Sequence, residues 1–305
     1  MDKVDLNLLR EIADLESTPQ GAYNIRKNGK LEGRASSANI VIETKTDKPG
    51  IDIRIAPGTK NESVHIPVIL TETGLNDMVY NDFFVGEGAD VVIVAGCGIH
   101  NGGCATSQHD GIHTFYLGKG SRVRYVEKHY GEGPGTGARI LNPQTILYLE
   151  EGASVELETV QIKGVDSTKR YTRVELAAGA EASVTERMLT DGEQTAESRI
   201  DVIMNGKGAR TQVVSRSVAQ GHSSQVFYPQ VEGNAPCFGH VQCDSIIMDH
   251  ARVSSIPAIT ANHTDAQLIH EAAIGKIAGD QILKLMTLGL TEEEAEQKIL
   301  DGFLS

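Results

Sequence analysis

The feature of this chain that most constrains its fold is a glycine-led repeat in its middle. The five copies are Gly88-Ala-Asp-Val, Gly120-Ser-Arg-Val, Gly152-Ala-Ser-Val, Gly179-Ala-Glu-Ala-Ser-Val and Gly208-Ala-Arg-Thr-Gln-Val. Successive glycines are 32, 32, 27 and 29 residues apart, and each gap contains another strand-like run. A strand–turn unit of near-constant period cannot bury its apolar face alone, which is typical of a stacked solenoid.

Short alternating runs continue from about 39 to about 260, so the sequence predicts a mainly β protein with a β-solenoid core over residues 39–262. A β-sandwich would also give many short strands separated by turns, and it stays open as an alternative at this stage. Apolar residues at helical spacing over Leu6–Leu15 predict a short helical cap in residues 1–38.

The last segment, residues 263–305, is predicted to end in two helices. The first runs from Gly279 to Leu290, and the second begins at Thr291-x-x-Glu294, the pattern of a capping box. Because the end coils of a solenoid expose strand edges and apolar faces, helices at both termini are expected to cap them.

The bulk composition excludes some partners. The net charge is −13 and aromatic residues make up 5% of the chain, with no Trp, so a nucleic-acid partner is not expected. The longest apolar run, Val91–Ala95, is too short to span a membrane, and the N-terminus lacks the apolar core of a signal peptide. We therefore expect a cytoplasmic protein whose four cysteines are reduced thiols.

The stretch from Cys243 to Gly275 places a thiol, histidines and a carboxylate in an otherwise apolar pattern. Thiolate, imidazole and carboxylate together can hold a soft or borderline metal ion. Taken alone, Cys243 is more typical of a small buried apolar residue, and the adjacent His270 and Glu271 of a surface pair. In a strand those two side chains would face opposite ways, whereas in a turn both could point to one site.

This stretch resembles the C-terminal core of the SufB/SufD family, the scaffold proteins of iron–sulfur cluster assembly. The matching signatures are Cys243-Asp-Ser, Ile256-Pro, Leu268-Ile-His-Glu-Ala-Ala-Ile-Gly275, and the tail from Gly279 to Phe303. The resemblance implies a right-handed β-helix. It also implies that Cys243, His270 and Glu271 hold a transient iron–sulfur cluster, Cys243 and Glu271 matching SufB and His270 matching SufD.

Further expectations follow from the same resemblance. SufB and SufD pool these groups across a heterodimer, and this chain carries all three, so a homodimer is expected. The C-terminal helices, around Asp280, Leu283, Leu290 and Glu294, are expected to contact a SufC-like ABC-type ATPase. The N-terminal segment is much shorter than in typical SufB or SufD, so any function of that part in longer relatives is not implied.

A second set of potential metal ligands lies upstream, at Cys97, His100, Cys104, His109 and His113. Five such residues within 17 positions are compatible with a metal site, although the spacing matches no standard zinc motif. A glycine-rich loop without function explains the segment equally well. If it is functional, iron or cluster delivery and a sulfur relay through Cys97 are the alternatives.

The chain is not expected to hydrolyse ATP itself. Its glycine-rich stretch from Gly131 to Gly137 lacks the Lys-Ser/Thr pair that completes a P-loop, and we interpret it as a turn or mobile loop. The sequence therefore predicts a non-enzymatic scaffold. Two other classes remain open: a structural partner of an ATPase that binds no metal, and a β-helix carbohydrate-active enzyme, which the few aromatics and the absent signal peptide disfavour.

Overall fold

The fold is described by a computed structural model that covers residues 1–305, with strands accounting for 57% of the chain. It contains three helices: α1 (Lys3–Ala13), α2 (Gly279–Thr287) and α3 (Glu292–Phe303). The strands are β1 (Ala22–Lys27), β2 (Lys30–Ala35), β3 (Ile40–Thr44), β4 (Gly50–Ile55), β5 (Lys60–Leu70), β6 (Asn76–Val85), β7 (Asp90–His100), β8 (Ser107–Leu117), β9 (Arg122–Glu132), β10 (Arg139–Leu141), β11 (Gln144–Leu149), β12 (Ser154–Lys163), β13 (Ser167–Leu176), β14 (Glu181–Thr190), β15 (Thr195–Met204), β16 (Arg210–Ala219), β17 (Ser224–Gly233), β18 (Phe238–Ile247), β19 (Arg252–Ser255), β20 (Ala258–Ala261) and β21 (Gln267–Gly275).

The strands form two facing sheets, and from β4 onward successive segments of the chain alternate between the two sheets. The first sheet has ten strands in the order β2-β1-β5-β7-β9-β12-β14-β16-β18-β21, and the second has eleven, running from β19 to β3. Within each sheet, strands of successive coils are parallel, as β12, β14 and β16 are. The result is a β-solenoid of about eight turns, which confirms the predicted fold and excludes the sandwich.

The repeated glycines sit at the turn that leads into the first sheet. Gly88, Gly120, Gly152, Gly179 and Gly208 all have positive φ, between 60° and 76°. A residue with a Cβ atom is strained in this left-handed region by about 1 kcal/mol or more, whereas glycine is not. The period seen in the sequence is therefore the period of one backbone turn per coil.

The interior between the sheets is filled by alternate residues of each strand. In β14 and β15, for example, buried and more exposed positions alternate along most of each strand. The main core cluster contains 38 buried residues, among which Phe83 stacks on Phe115 and the Tyr125 ring packs at a tilt against Phe115. A smaller apolar cluster contains Cys97 and Ile99, and buried polar residues such as Glu127 and Arg170 also lie in the interior.

The N-terminal end of the solenoid is closed by strands, while α1 packs beside them. Two antiparallel pairs, β1 with β2 and β3 with β4, form the first edges of the two sheets. Helix α1 lies on the outer face of the first sheet, where Leu8 and Ile12 cover Gly96 and Gly98. A Cβ atom at Gly96 would lie 2.8 Å from the Ile12 carbonyl oxygen, so glycine permits the close approach.

The C-terminal helices also pack on the outer face of the first sheet, leaving the last coil open. Ile277 and Leu300 bury their side chains against Val218 of β16. The predicted capping box is present, since Thr291 and Glu294 cap each other's backbone at the start of α3. None of the three helices has the length and apolar character needed to cross a bilayer.

The structure adds strands to both predicted helical segments. Residues 1–38 include β1 and β2, and residues 263–305 include β21. Strand β21 is the last strand of the first sheet, and most of its residues are exposed. The solenoid therefore reaches Gly275 and ends in strand edges that no helix covers.

Candidate functional site

Cys243 and His270 meet on the inner face of the two last strands of the first sheet. Strands β18 and β21 are parallel, with Val241 opposite His270 and Cys243 opposite Ala272. The alternation of strand side chains therefore turns Cys243 and His270 to the same side. The Cys243 Sγ atom lies 3.4 Å from His270 Nε2.

The second sheet also contributes to this pair. The Ser255 hydroxyl, on β19, donates a hydrogen bond to Cys243 Sγ across 3.5 Å. Beside the thiol is a cavity of about 20 Å³ whose walls include Glu186 and Ser215. This is room for about one water molecule, so the thiol faces a small polar space inside the end of the solenoid.

The environment keeps both groups uncharged at neutral pH. Burial raises the pKa of the Cys243 thiol to about 11, although the Ser255 hydrogen bond acts in the opposite direction. Burial, with a smaller contribution from His240, lowers the pKa of His270. A metal ion that binds here meets a neutral imidazole but must displace the thiol proton to gain a thiolate ligand.

Glu271 does not join this pair. It lies in a strand, opposite Gln242, and its side chain points to the outer face, where its Oε2 atom is 3.6 Å from His240 Nε2. The structure thus brings Cys243 and His270 together and places Glu271 on the other side of the sheet. His240 was not identified from the sequence, because only the register between β18 and β21 reveals that it neighbours Glu271.

The upstream set of ligands is divided in a similar way. Cys97, His109 and His113 are buried in the interior of the solenoid and line one narrow cavity of about 10 Å³. His100 is on the surface, where its Nδ1 atom lies 3.2 Å from a Glu132 carboxylate oxygen. Cys104 is exposed in the connection between β7 and β8, so these two residues are not part of the interior group.

Two residues that sequence reasoning missed complete this interior group. Glu127 and His129 line the same cavity, and a Glu127 oxygen lies 3.6 Å from His129 Nε2. Burial alone would raise the pKa of Glu127, but His129 and Arg170 outweigh it and hold the pKa well below its usual range. Burial lowers the pKa of His113 to about 4, so its imidazole is neutral at neutral pH.

A row of polar side chains links the two cavities through the interior. Arg170 donates to Glu127 across 2.7 Å and lies 3.7 Å from Glu186 in the direction of the last coil. Glu186 accepts hydrogen bonds from Ser198 and Ser215, at 2.6 and 3.1 Å. Since Glu186 and Ser215 also line the cavity beside Cys243, polar groups extend from the Cys97 cavity to the Cys243 cavity.

No three His, Cys, Asp or Glu side chains are arranged so that they could hold one metal ion. The pairs described above are therefore incomplete as metal sites within a single chain. A thiol and an imidazole at an open sheet end nevertheless offer a soft and a borderline donor, the combination that iron and other late first-row metals accept.

A known protein-family model matches most of the chain. Residues 75–303 match the model of the SufBD core domain of the SUF system for FeS cluster assembly. The chain belongs to the SufBD family. The matched segment includes the cavity beside Cys243, the Cys243–His270 pair and both C-terminal helices, and most residues that line the cavity beside Cys97.

Curated SufBD family proteins of iron–sulfur cluster assembly are similar over most of the chain. Those of Archaeoglobus fulgidus and Methanothermobacter thermautotrophicus are 27% and 26% identical over 85% and 86% of this chain, covering 69% and 64% of their own lengths. One from Methanocaldococcus jannaschii is 26% identical over 93% of this chain and 90% of its own length. The chain thus spans about two thirds of the first two and nearly all of the third.

In this SufBD chain the glycine-rich stretch from Gly131 to Gly137 has a structural explanation. Gly135 and Gly137 donate backbone hydrogen bonds to Asn101 and Gly103, so the stretch lies flat against the connection between β7 and β8. A Cβ atom at Gly135 would lie 2.2 Å from the Gly103 oxygen. The glycines permit the close contact between two backbones.

The predicted ATPase-contact residues lie on or beside the C-terminal helices. Asp280 and Leu283 are exposed on α2, and Leu290 is half-buried between the helices. The Glu294 carboxylate accepts a hydrogen bond from the Thr291 backbone, so it already serves to start α3. We define the exposed apolar side chains Leu283, Met286 and Leu288 as the α2 patch.

Proposed function

We propose that this SufBD chain is a scaffold on which a nascent iron–sulfur cluster is built, at the interface of a homodimer and with an ABC-type ATPase as partner. The single observation that carries the proposal is the Cys243–His270 pair at the open end of the solenoid. Here iron and sulfide are the cargo. The chain itself is proposed to catalyse no reaction.

The open strand edges support a homodimer. Strand β21 ends the first sheet with its outer backbone groups unpaired, and β19 and β20 end the second sheet beside it. Exposed edges of this kind are the usual place for strands of another chain to pair. A twofold axis there would face the Cys243–His270 pair of one copy toward the same pair of the other, and so double the number of ligands.

The ligand chemistry supports a site that releases its product. A thiolate from Cys243 binds iron firmly, while the imidazole of His270 is a weaker ligand for it. Because the thiol has a raised pKa, binding costs a proton and is weaker than at an exposed thiolate. Such a site favours transient occupancy over permanent storage of a cluster.

The α2 patch supports a protein partner near the last coil. Leu283 and Leu288 expose 60% and 75% of their surfaces, far more than is usual for apolar residues of a folded chain. The chain has no P-loop of its own, so a SufC-like subunit would bind and hydrolyse ATP. Movement of such a subunit would act on α2 and α3, which pack beside β18.

The row of polar side chains that links the two interior cavities suggests a role for Cys97 within the same proposed function. Its thiol is buried, and burial raises its pKa well above the usual value, so it is not a ready ligand for iron from solution. Polar groups continue from its cavity to Cys243. Of the roles left open by the sequence, transfer of sulfur toward Cys243 agrees better with this enclosed arrangement than delivery of iron or clusters.

The proposal is tested by iron and acid-labile sulfide content after anaerobic reconstitution with the cognate ATPase. We expect near-equal iron and sulfide in the wild type, their loss in Cys243→Ser, and no change in the matched thiol variant Cys104→Ser. Cluster content that persists in Cys243→Ser would move the site elsewhere. No cluster in any form, with the ATPase still bound, would favour a structural partner that holds no metal.

A further inference from the structure

The outer face of the last coil carries a second pair of metal-binding side chains, His240 and Glu271. They belong to neighbouring strands, β18 and β21, and their nearest atoms, His240 Nε2 and Glu271 Oε2, are 3.6 Å apart. Glu271 exposes 66% of its side chain and His240 exposes 23%. The pair is thus accessible to solvent. The His240 imidazole is mostly covered by its neighbours, whereas the Glu271 carboxylate is exposed and can rotate.

This pair is separated from the thiol by the sheet itself. Cys243 and His270 occupy inner positions of β18 and β21, and His240 and Glu271 occupy outer positions of the same two strands. A metal ion on one side of the sheet therefore cannot share ligands with an ion on the other side within one chain. The four side chains form two pairs with different donor atoms.

We propose that His240 and Glu271 bind a ferrous ion as a loading site, distinct from the thiol-containing pair. Imidazole and carboxylate donors suit Fe²⁺ without a thiolate, and the positions they leave open are filled by water. Two ligands at right angles, each about 2.1 Å from one ion, are roughly 3 Å apart, so the observed separation needs only a small adjustment. The inference takes its biological role from the proposed function.

The surroundings favour a cation at this pair. Gln242 lies between the two residues on the outer face and donates to Asp244 across 2.6 Å, which adds a second carboxylate to the same face. No Lys or Arg side chain forms an ion pair with Glu271, whose only charged partner within 4.0 Å is His240. A divalent ion would therefore replace a weak contact and would not have to break a strong salt bridge.

Titration of the full-length chain with Co²⁺, followed by calorimetry and visible absorption, tests this site, and Fe²⁺ under anaerobic conditions repeats the test. We expect His240→Ala and Glu271→Gln each to weaken Co²⁺ binding by at least about tenfold, since even outer-shell partners of a metal matter that much. Asp265→Asn is the matched control, because His263 and Asp265 form another His–carboxylate contact, at 4.0 Å, in a surface turn. That variant should bind Co²⁺ like the wild type, and Cys243→Ser should keep the Co²⁺ ion at His240 and Glu271 without any thiolate-to-cobalt absorption.

Two results would overturn the proposal: unchanged Co²⁺ affinity in both His240→Ala and Glu271→Gln, or loss of all Co²⁺ binding in Cys243→Ser. The scaffold function has its own measurement, the iron and sulfide content after reconstitution. Normal Co²⁺ binding without cluster assembly would reject the scaffold and keep the ion site. Cluster assembly at wild-type level in Glu271→Gln and His240→Ala, with their Co²⁺ binding lost, would keep the scaffold and reject the loading role.

Discussion

The Sγ atom of Cys243 lies 3.4 Å from Nε2 of His270, close enough for the imidazole to accept the thiol proton. The relationship depends on the register of β18 and β21, which sets the two residues on the same face with a two-residue offset. Both groups are uncharged at neutral pH, so the pair is ready for a metal ion that displaces one proton.

Binding of a soft metal ion at Cys243 should release about one proton and should strengthen with pH. Below its pKa of about 11 the thiol is protonated, so affinity should rise by up to about tenfold per pH unit. The measurement is titration with Cd²⁺ in a Cys104→Ser background, read by thiolate-to-cadmium absorption in buffers of different ionisation enthalpy. A flat pH profile between 6 and 9, roughly the range below that pKa, would contradict it. Cys243→Ser should lack the absorption.

Only one of the four thiols should react quickly with a thiol reagent at pH 8. Cys104 is exposed, whereas Cys97, Cys237 and Cys243 are buried. Burial also raises the pKa of each of the three, which leaves little thiolate to react. Reaction with Ellman's reagent should show one fast thiol, absent in Cys104→Ser, and four in denaturant. Two or more fast thiols in the folded wild type would be inconsistent with the buried end site.

Acid should destabilise the fold over a defined pH range because of His113. Its folded-state pKa of about 4 is below the usual 6.5, so between these values the unfolded chain takes up a proton that the folded chain does not. This lowers the free energy of unfolding by roughly 3 kcal/mol as pH falls from 6.5 to 4. Glu127, whose pKa is lowered, acts in the same direction at the acid end.

Urea unfolding across this pH range measures the effect. His113→Gln should show a shallower acid slope than the wild type, although its stability at pH 7 is also lowered by loss of the Tyr125 contact at 2.6 Å. The surface variant His263→Gln should keep the wild-type slope. Equal slopes in all three proteins would show that His113 is not the group responsible.

Removing Arg170 alone from the buried Arg170–Glu127 ion pair should lower the free energy of unfolding more than replacing the charged residues by neutral ones. Arg170 and Glu127 are both buried, with 2.7 Å between Nη1 and the carboxylate. Arg170→Ala leaves a buried unpaired carboxylate, and we expect a loss of about 3–5 kcal/mol in the free energy of unfolding. The triple variant Arg170→Met, Glu127→Gln, Glu186→Gln should lose less, because both buried carboxylates that face Arg170 are then neutral. A triple variant as unstable as Arg170→Ala would argue against this explanation.

A charge at the open edge should weaken the proposed homodimer. Ile274, on the inner face of β21, exposes 41% of its surface and would face its copy across a twofold axis. Ile274→Glu should raise the dissociation constant at least about tenfold, since two like charges would meet at the interface. Sedimentation velocity measures it, with Ile162→Glu as control, because Ile162 is equally exposed but on β12, away from the edge. Equal dissociation constants for both variants would place the interface elsewhere.

The repeat and the helices were predictable because their signals are local. A glycine before each strand records a backbone turn, and Thr291-x-x-Glu294 records a helix start, so neither needs knowledge of distant contacts. Cys243 and His270 were found through a family resemblance. That Glu271 lies on the other face was one of two alternatives, and only the extension of the sheet to Gly275 decides between them.

The interior row was missed for a different reason. Cys97 in β7 and His109 and His113 in β8, one strand in each of the two facing sheets, point inward. His100, at the end of β7, points outward, so counting spacing within one segment could not separate them. Glu127 and Arg170 come from different coils and are compatible with burial only because each neutralises the other. Pairings of this kind depend on the stacking of coils, which the sequence does not display.

Each coil of the solenoid contacts only the coils before and after it. The length of the molecule along the solenoid axis is therefore set by the number of coils. Duplicating one coil near Gly152 would move α1 away from the Cys243–His270 pair by about 4.8 Å, one strand spacing, and would leave the local geometry of both unchanged. The separation between the N-terminal helix and the end site is therefore a quantity that evolution or design can change in steps, independently of the chemistry at the open end.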